Sequence, residues 1–199
     1  MSPRPRKASD DEIFAAAIRA MQRLGPSELT LAEIAAEAGM TAGALVQRFG
    51  SKRGLQVALA EGAAESAGEF IRALREKHTS PLAAVRDYAE CMAGLAATPE
   101  ALARNLAYLT VDISDPTLRK HLLVQSRATR TGLHELLQEA IQRGELRRGT
   151  KAKPLAMILE TVIGGALFSW AVYRDGTAAR FMREHVDAVL GPYERKRRR

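Results

Sequence analysis

The 199-residue sequence is long enough for one large domain or two small domains with a buried core, and its single cysteine excludes an internal disulfide. Hydrophobic residues make up 46% and aromatic residues 5% of the chain, with abundant alanine, which favours an all-α fold over a β-sheet fold. The formal net charge of +7 does not imply an evenly basic surface, because eight of the 30 basic residues lie in the first seven and last five positions.

Residues 1–8 are polar and basic and contain two prolines, and we expect them to form a disordered arm. The first helix is predicted directly after them, because Ser9 and Glu12 have the spacing of a capping box. Apolar residues then recur at helical spacing until Gly25 and Pro26 end the helix. These residues are Ile13, Ala17, Ala20, Met21 and Leu24.

Two short helices joined by a tight turn are predicted next. Thr30 and Glu33 have capping-box spacing, so a helix begins there. Gly39 ends it, because glycine adopts the left-handed conformation without a steric cost, and Thr41 is placed to cap a second helix over residues 42–48. This arrangement fits a helix-turn-helix, and it equally fits an ordinary helical hairpin.

The same stretch resembles the DNA-binding signature of the TetR (tetracycline-repressor) family of transcriptional regulators. The positions that match the family pattern are Thr30, Ile34, Ala35, Ala38, Gly39, Met40, Thr41, Gly43, Phe49 and Lys52. Val46 departs from it, because the family usually carries a tyrosine there that touches a DNA phosphate. The resemblance implies a nine-helix fold and a regulator, most often a repressor, whose dimer binds a palindromic DNA operator and is released by a small molecule.

In a helix-turn-helix, the second helix would present the side chains that contact DNA. Gln47 and Arg48 are able to hydrogen-bond to base edges. The other predicted contacts are Ala42 and Ala44 with thymine methyl groups, and Thr30, Thr41 and Lys52 with phosphates. The arm at residues 1–8 either enters the neighbouring minor groove or only increases solubility, and the sequence leaves both open.

Ser51 is placed to cap a fourth helix, which continues without proline as far as Lys77. Five later helices are predicted at residues 81–97, 99–112, 116–143, 154–173 and 177–190. The sequence therefore predicts nine helices. Together with the resemblance, this gives a helix-turn-helix domain at 9–55, a helical ligand-binding and dimerisation domain at 56–192, and a basic tail at 193–199.

The last two predicted helices carry apolar stripes suited to dimerisation, because small residues between larger ones allow another helix to approach. The predicted interface consists of Ile158, Thr161, Val162, Gly165, Phe168, Val172, Phe181, His185 and Val189. The alternative, that these stripes pack only within one chain, remains open.

The resemblance also implies a small-molecule pocket in the middle of the chain. Candidate residues combine apolar side chains with a few polar groups, as ligand pockets usually do. They are Tyr88, Met92, Leu95, Asn105, Tyr108, Leu109, Asp112 and Gln125. The sequence does not identify the ligand.

Residue patterns typical of enzymes are missing from the sequence. Its four histidines are scattered, and it contains neither a nucleophile elbow nor a phosphate-binding P-loop. We therefore expect no enzymatic activity, no metal and no cofactor. Cys91 fits a cytoplasmic location, and we interpret it as a small hydrophobic residue and not as a redox sensor.

Two features support other interpretations. The basic run at residues 195–199 suits any polyanion, so nonspecific binding of RNA or of a membrane surface is the alternative function. The apolar stretch from Pro154 to Tyr173 nearly has the length of a membrane span, but Glu160 and Thr161 near its middle favour a helix packed against protein. We therefore expect no membrane partner.

Overall fold

The computed structural model of the chain describes residues 8–94 and 98–195. Across these residues the chain forms nine α-helices and no named strand, which confirms the predicted all-α fold. The helices are α1 (Asp10–Arg23), α2 (Leu31–Glu37), α3 (Ala42–Phe49), α4 (Lys52–Lys77), α5 (Pro81–Gly94), α6 (Pro99–Ser114), α7 (Pro116–Gln142), α8 (Ala152–Tyr173) and α9 (Ala178–Leu190). Residues 1–7 of the predicted arm and 196–199 of the predicted tail lie outside the described residues.

Local signals set most helix ends. At the start of α1, the Ser9 N–H donates to the Glu12 carboxylate at 2.8 Å and the Glu12 N–H donates to the Ser9 hydroxyl at 3.2 Å, which completes the predicted capping box. Gly39 and Gly144 follow α2 and α7 with φ angles of 65° and 74°, in the left-handed region that favours glycine.

One boundary differs from the prediction for a physical reason. Helix α8 begins at Ala152, two residues before Pro154. Proline is tolerated there because an N–H group in the first turn of a helix has no acceptor within that helix. Outside the helices, Leu146 and Glu194 form an isolated antiparallel bridge that the sequence did not predict.

The described chain divides into two compact units. The N-terminal unit contains residues 8–62 together with Ala103–Lys120, so it extends beyond the predicted range of 9–55. Its core joins α1, α2 and α3 to the start of α4 and to one side chain of α6. The fully or nearly fully buried members are Ile13, Ala17, Ala20, Leu29, Ile34, Ala35, Leu45, Leu55 and Tyr108.

The C-terminal unit contains Ala63–Leu102 and residues 121–195, with its own hydrophobic core built from α4, α5, α7, α8 and α9. Helix α8 buries one face in this core, including Leu155, Leu159, Ile163 and Trp170. It is the one described helix long and apolar enough to cross a membrane, yet only 33% of its most apolar stretch is buried. Length and composition alone are weak evidence for a membrane span, because core helices of soluble proteins also meet these criteria.

Candidate nucleic-acid interface

The α2–turn–α3 segment is held by its own side chains and backbone. The Thr30 hydroxyl accepts the Glu33 N–H at 3.2 Å, and the Thr41 hydroxyl accepts the Ala44 N–H at 3.2 Å. Both threonine hydroxyls therefore already cap a helix, and each would have to contact a phosphate while it accepts this backbone hydrogen bond. Leu45 is fully buried in the core of the N-terminal unit and fixes the inner face of α3.

The outer face of α3 contains Val46 and Gln47, which are exposed. Val46 is 47% exposed at the position where the family pattern has a tyrosine. The Gln47 side chain has no hydrogen-bond partner among the described residues, so both its donors and its acceptor are available. Ala42 and Ala44 are half-buried, which leaves their methyl groups only partly available for contact.

Arg48 is placed differently from the prediction, because it is engaged within its own unit. Its Nε lies 2.7 Å from an Asp10 carboxylate oxygen, and its Nη1 donates to the Ala8 carbonyl at 2.6 Å. Its guanidinium also lies 5.9 Å from the centre of the Phe49 ring. The Asp10 carboxylate and the Ala8 carbonyl therefore compete with a base for the Arg48 guanidinium, and the base contact of Arg48 remains a prediction. The sequence did not predict this ion pair.

The start of α4 is tied to its surroundings by two cationic side chains. Lys52 donates to the Pro26 carbonyl at 2.6 Å, so the predicted phosphate contact would compete with an internal bond. Arg53 donates to both carboxylate oxygens of Asp115, at 2.9 and 3.1 Å, and to the Thr117 hydroxyl at 3.2 Å. Burial acts to raise the pKa of Asp115, but the Leu118 N–H and Arg53 stabilise its charged form and lower the pKa overall.

Helix α6 belongs partly to the N-terminal unit, and Tyr108, a predicted pocket residue, lies in that part. Tyr108 is buried in the core of that unit, and its hydroxyl donates to the Leu24 carbonyl at 2.9 Å. Burial, with a smaller contribution from Glu28, raises the pKa of Tyr108 to about 12. Arg104 similarly donates to the Gln22 carbonyl at 2.8 Å. Tyr108 is therefore a core residue of the N-terminal unit.

The other predicted pocket residues are divided between the two units. Tyr88, Met92 and Gln125 belong to the C-terminal unit, whereas Asn105, Leu109 and Asp112 belong to the N-terminal unit. Leu95 lies outside the described residues. Burial, followed by the charge of Asp115, raises the pKa of the Asp112 carboxyl. Two cavities of the C-terminal unit, of about 460 and 540 Å³, are lined by other residues, so the predicted pocket remains a prediction.

A cavity of about 460 Å³ lies between α4 and α7 in the C-terminal unit. Ile71 and Leu136 give it an apolar floor, and Arg72 and Arg127 lie among its charged lining residues. Gly132 allows the two helices to approach closely, because a Cβ atom there would lie 2.8 Å from Ile71 Cγ2. The sequence did not predict this cavity, and Gly132 inside a long helix was the available signal.

The predicted dimer residues of α8 mostly lie on its exposed face. Phe168 is 60% and Val172 65% exposed, and Ile158, Thr161 and Gly165 are also exposed, whereas Val162 is half-buried. Met157 and Tyr173 extend this exposed face, although the prediction did not include them.

The predicted α9 residues are engaged more within the chain. Phe181 is buried in the core of the C-terminal unit, which leaves little of its ring for a partner. His185 stacks on Phe181 with ring centres 4.2 Å apart, and Val189 packs against the same core. The part of the predicted interface that relies on Phe181 is therefore mostly satisfied within one chain.

Glu37 at the end of α2 joins α1 to α2. Arg19 Nε donates to one carboxylate oxygen of Glu37 at 2.8 Å, and Arg23 Nη1 donates to the other at 2.5 Å. These bonds lower the pKa of Glu37 below its ordinary value of 4.5. The resulting stabilisation is present above that ordinary value and is lost as the pH falls through the lowered pKa.

We therefore expect Glu37→Gln to be less stable than the original protein at neutral pH and equal to it in strong acid. Urea denaturation of both proteins between about pH 7 and about pH 3 measures the difference in unfolding free energy. A stability difference that does not change with pH would contradict this assignment of the pH dependence to Glu37.

Two family models match the sequence. The model described as "Bacterial regulatory proteins, tetR family" matches residues 13–59, and the model described as "Tetracyclin repressor-like, C-terminal domain" matches residues 107–186. The first match contains α2, α3 and the intervening turn, and the second reaches into α9. A search of curated protein sequences found no match.

Solved structures of regulators have the same fold. SmeT, the repressor of the Stenotrophomonas maltophilia multidrug efflux pump SmeDEF, is 21% identical with a TM-score of 0.66, covering 96% of this chain and 93% of that chain. A SmeT–triclosan complex is 21% identical with a TM-score of 0.69, covering 96% and 94%. A TetR transcription regulator from Haloarcula marismortui is 19% identical with a TM-score of 0.74, covering 94% and 98%. At these identities the likeness concerns the fold alone.

Proposed function

Because the chain belongs to the TetR family of bacterial regulatory proteins, we propose that it is a cytoplasmic repressor whose dimer binds a palindromic operator and is released by a small molecule. The observation that carries this proposal is the exposed outer face of α3, with Gln47 unpartnered among the described residues. An α-helix fits the major groove of B-DNA, where a glutamine side chain can make two hydrogen bonds to adenine.

The proposed dimer follows from the same geometry of DNA. Two equivalent half-sites are bound together only when two α3 helices are held about one helical turn apart. The exposed face of α8 supports dimerisation, because it presents the large apolar side chains Phe168 and Val172 beside the exposed glycine Gly165. Exposed apolar faces of this kind usually mark contacts with another protein surface.

For the effector, we propose a molecule with an apolar part that binds in the cavity between α4 and α7, against Ile71 and Leu136. The SmeT–triclosan complex supports ligand binding by this fold, because SmeT has the same fold and forms a complex with a small molecule. Helix α4 runs continuously from Lys52, shortly after α3, to Lys77 beside this cavity. A ligand that changes the direction of α4 would move α3, and a coupling of about 1–3 kcal/mol lowers operator affinity roughly 5- to 150-fold. A ligand that fills the cavity but leaves operator affinity unchanged would contradict this part of the proposal.

Alanine substitutions in α3 test which side chains contact bases. We expect Gln47→Ala to lose about 1–3 kcal/mol of discrimination at one base pair of each half-site and to leave the other positions unaffected. Affinities for an operator and its single-base variants measure this loss. Gln138→Ala is the matched control, because Gln138 is exposed on α7 in the C-terminal unit.

The result expected for Arg48→Ala depends on whether Arg48 keeps its ion pair with Asp10 when DNA is bound. A base-contacting Arg48 predicts relaxed preference at one base pair, as for Gln47. An equal loss of affinity for every sequence would instead assign Arg48 to phosphate contact or to support of α3. If neither variant changes discrimination at any base pair, α3 is not the element that recognises the sequence.

A further inference from the structure

The loop between α7 and α8, the start of α8 and the end of the described chain share an unusual concentration of positive charge. We define the basic patch as Arg147, Arg148, Lys151, Lys153 and Arg195. All five residues are exposed, and none of their charged groups has a carboxylate partner in residues 8–94 and 98–195. The body of the chain otherwise pairs many of its arginines, so this patch is a local excess of unpaired charge.

Backbone hydrogen bonds bring the two segments of the patch together. The Arg147 N–H donates to the Tyr193 carbonyl at 2.9 Å, and the Arg195 N–H donates to the Glu145 carbonyl at 2.9 Å. These bonds flank the antiparallel bridge between Leu146 and Glu194. The sequence continues from this point with Lys196 and three further arginines, which add to the positive charge of this part of the sequence.

The acidic side chains beside the patch are already engaged elsewhere. The Glu145 carboxylate accepts the Ser80 hydroxyl at 2.7 Å and the Leu82 N–H at 3.3 Å. The Glu194 carboxylate accepts a hydrogen bond from Arg86 Nη2 at 2.5 Å. The positive charge of the patch is therefore not neutralised by its neighbours and remains available to an anion.

The start of α8 lacks the groups that usually stabilise a helix N-terminus and contains cations instead. Its N-cap residue, Lys151, forms no side-chain capping bond, and its first turn contains no acidic residue but does contain Lys153. Cations at this end of a helix oppose the helix dipole, whereas an anion bound there is stabilised by the dipole and by unpaired N–H groups. Helix α1 has the usual arrangement, with three acidic residues in its first turn.

A cavity of about 540 Å³ lies at the same helix start and is lined by residues of α7, the loop and α8. Thr150 lines it, and the Thr150 hydroxyl oxygen is buried without a hydrogen-bond partner among the described residues. A buried hydroxyl usually has a partner. A phosphate oxygen in this cavity would satisfy it, next to Lys151 and Lys153.

We propose that the basic patch binds the phosphate backbone of duplex DNA without sequence preference, as a second DNA contact separate from α3. Arginine and lysine neutralise successive phosphates of a polyanion, and the patch spans two chain segments, which is more than a single phosphate group requires. The exposed large apolar residues nearest to the patch, Met157 and Ile158, belong to the α8 face that we assign to the dimer interface, so they are not free to insert into a membrane interface.

The test compares two triple variants of the 199-residue chain, in each of which three exposed cations are replaced. The patch variant is Arg148→Gln, Lys151→Gln and Lys153→Gln; the control is Arg119→Gln, Lys120→Gln and Arg174→Gln, whose side chains also lack carboxylate partners in the described chain. The measurement is the affinity for a labelled duplex of scrambled sequence as a function of salt concentration. We expect the patch variant to bind roughly tenfold more weakly at low salt, with a log–log salt slope flatter by about 0.9 for each phosphate that the patch no longer neutralises.

Thermal denaturation shows whether weaker binding is only a folding defect. We expect the patch variant to have an equal or higher Tm than the original protein, because it removes cations from the positive end of α8. Equal affinity and equal salt slopes for the patch variant and the control would overturn the proposal. A patch variant impaired only in binding single-stranded RNA or vesicles containing phosphatidylserine would also overturn the proposal.

The outcome is separable from that of the proposed function. Discrimination among single-base variants of an operator depends on α3 and is measured on the same patch variant. Retained discrimination together with weakened binding to scrambled duplex supports both conclusions. Retained binding of the original protein to scrambled duplex with no discrimination would contradict the α3 proposal and leave the patch assignment in place.

Discussion

Replacing Gly54 by alanine should destabilise the N-terminal unit by about 3 kcal/mol and largely abolish operator binding. Gly54 lies in the first turn of α4, and a Cβ atom built there would lie 2.0 Å from the Phe49 carbonyl oxygen and 3.2 Å from the Phe49 carbonyl carbon. Both atoms belong to the backbone at the end of α3, so no side-chain rotation relieves the clash. The end of α3 must therefore move relative to α4, and the face of α3 that we propose contacts DNA moves with it.

Gly68→Ala is the matched control, since Gly68 lies in the same helix and its Cβ atom would have Arg72 Nη1 as nearest neighbour at 3.7 Å. That change should stabilise the protein by about 0.5–1 kcal/mol, because glycine is a poor helix former. Thermal denaturation and operator affinity of both variants provide the comparison. If Gly54→Ala is as stable as Gly68→Ala and binds DNA equally well, the close contact between α3 and α4 has no structural role.

Replacing Phe168 by glutamate should convert the proposed dimer to a monomer and weaken operator binding by at least about a hundredfold. Phe168 is 60% exposed in the single chain, so the charge remains solvated when the monomer folds. In a dimer formed through α8, each protomer would instead bury an unpaired carboxylate, at a cost of several kcal/mol. A monomer also forgoes the gain in affinity that comes from linking two half-site contacts.

Leu123→Glu is the control for this prediction, because Leu123 on α7 is 48% exposed and also belongs to the C-terminal unit. Sedimentation equilibrium gives the oligomeric state, and circular dichroism shows whether each variant remains helical. Dimers of unchanged stability in Phe168→Glu would show that α8 does not form the interface. Dissociation of both variants would mean that the effect is not specific to α8.

The sequence predicted the helix-turn-helix well because its signals are local. The capping threonines Thr30 and Thr41 and the left-handed Gly39 depend on residues within one turn of the chain. The ion pair between Arg48 and Asp10 is different, because it joins α3 to the start of α1, far apart in the sequence. Periodicity placed Arg48 on an outer face but could not show which neighbour that face would meet.

The same limit applies further along the chain. The sequence placed Tyr108 in a candidate ligand pocket and Phe181 in a candidate dimer interface, but it could not show that both side chains are buried in hydrophobic cores of the chain itself. The exposed stripe of α8 shows the converse, since a helix apolar on nearly every side has a second face that its own unit does not cover. The bridge between Leu146 and Glu194, and with it the basic patch, depends on distant chain segments meeting in space and has no local signal.

Selection of bound duplexes from a random-sequence pool tests the central claim most directly. Two α3 helices held by an α8-mediated dimer should enrich an inverted repeat, with half-site centres one helical turn or a multiple of it apart, about 10–10.5 base pairs per turn. The purified complex should contain an even number of protomers per duplex. Enrichment of a single asymmetric site bound by one protomer, or no enrichment of any sequence, would contradict the claim that paired α3 helices recognise a palindromic operator.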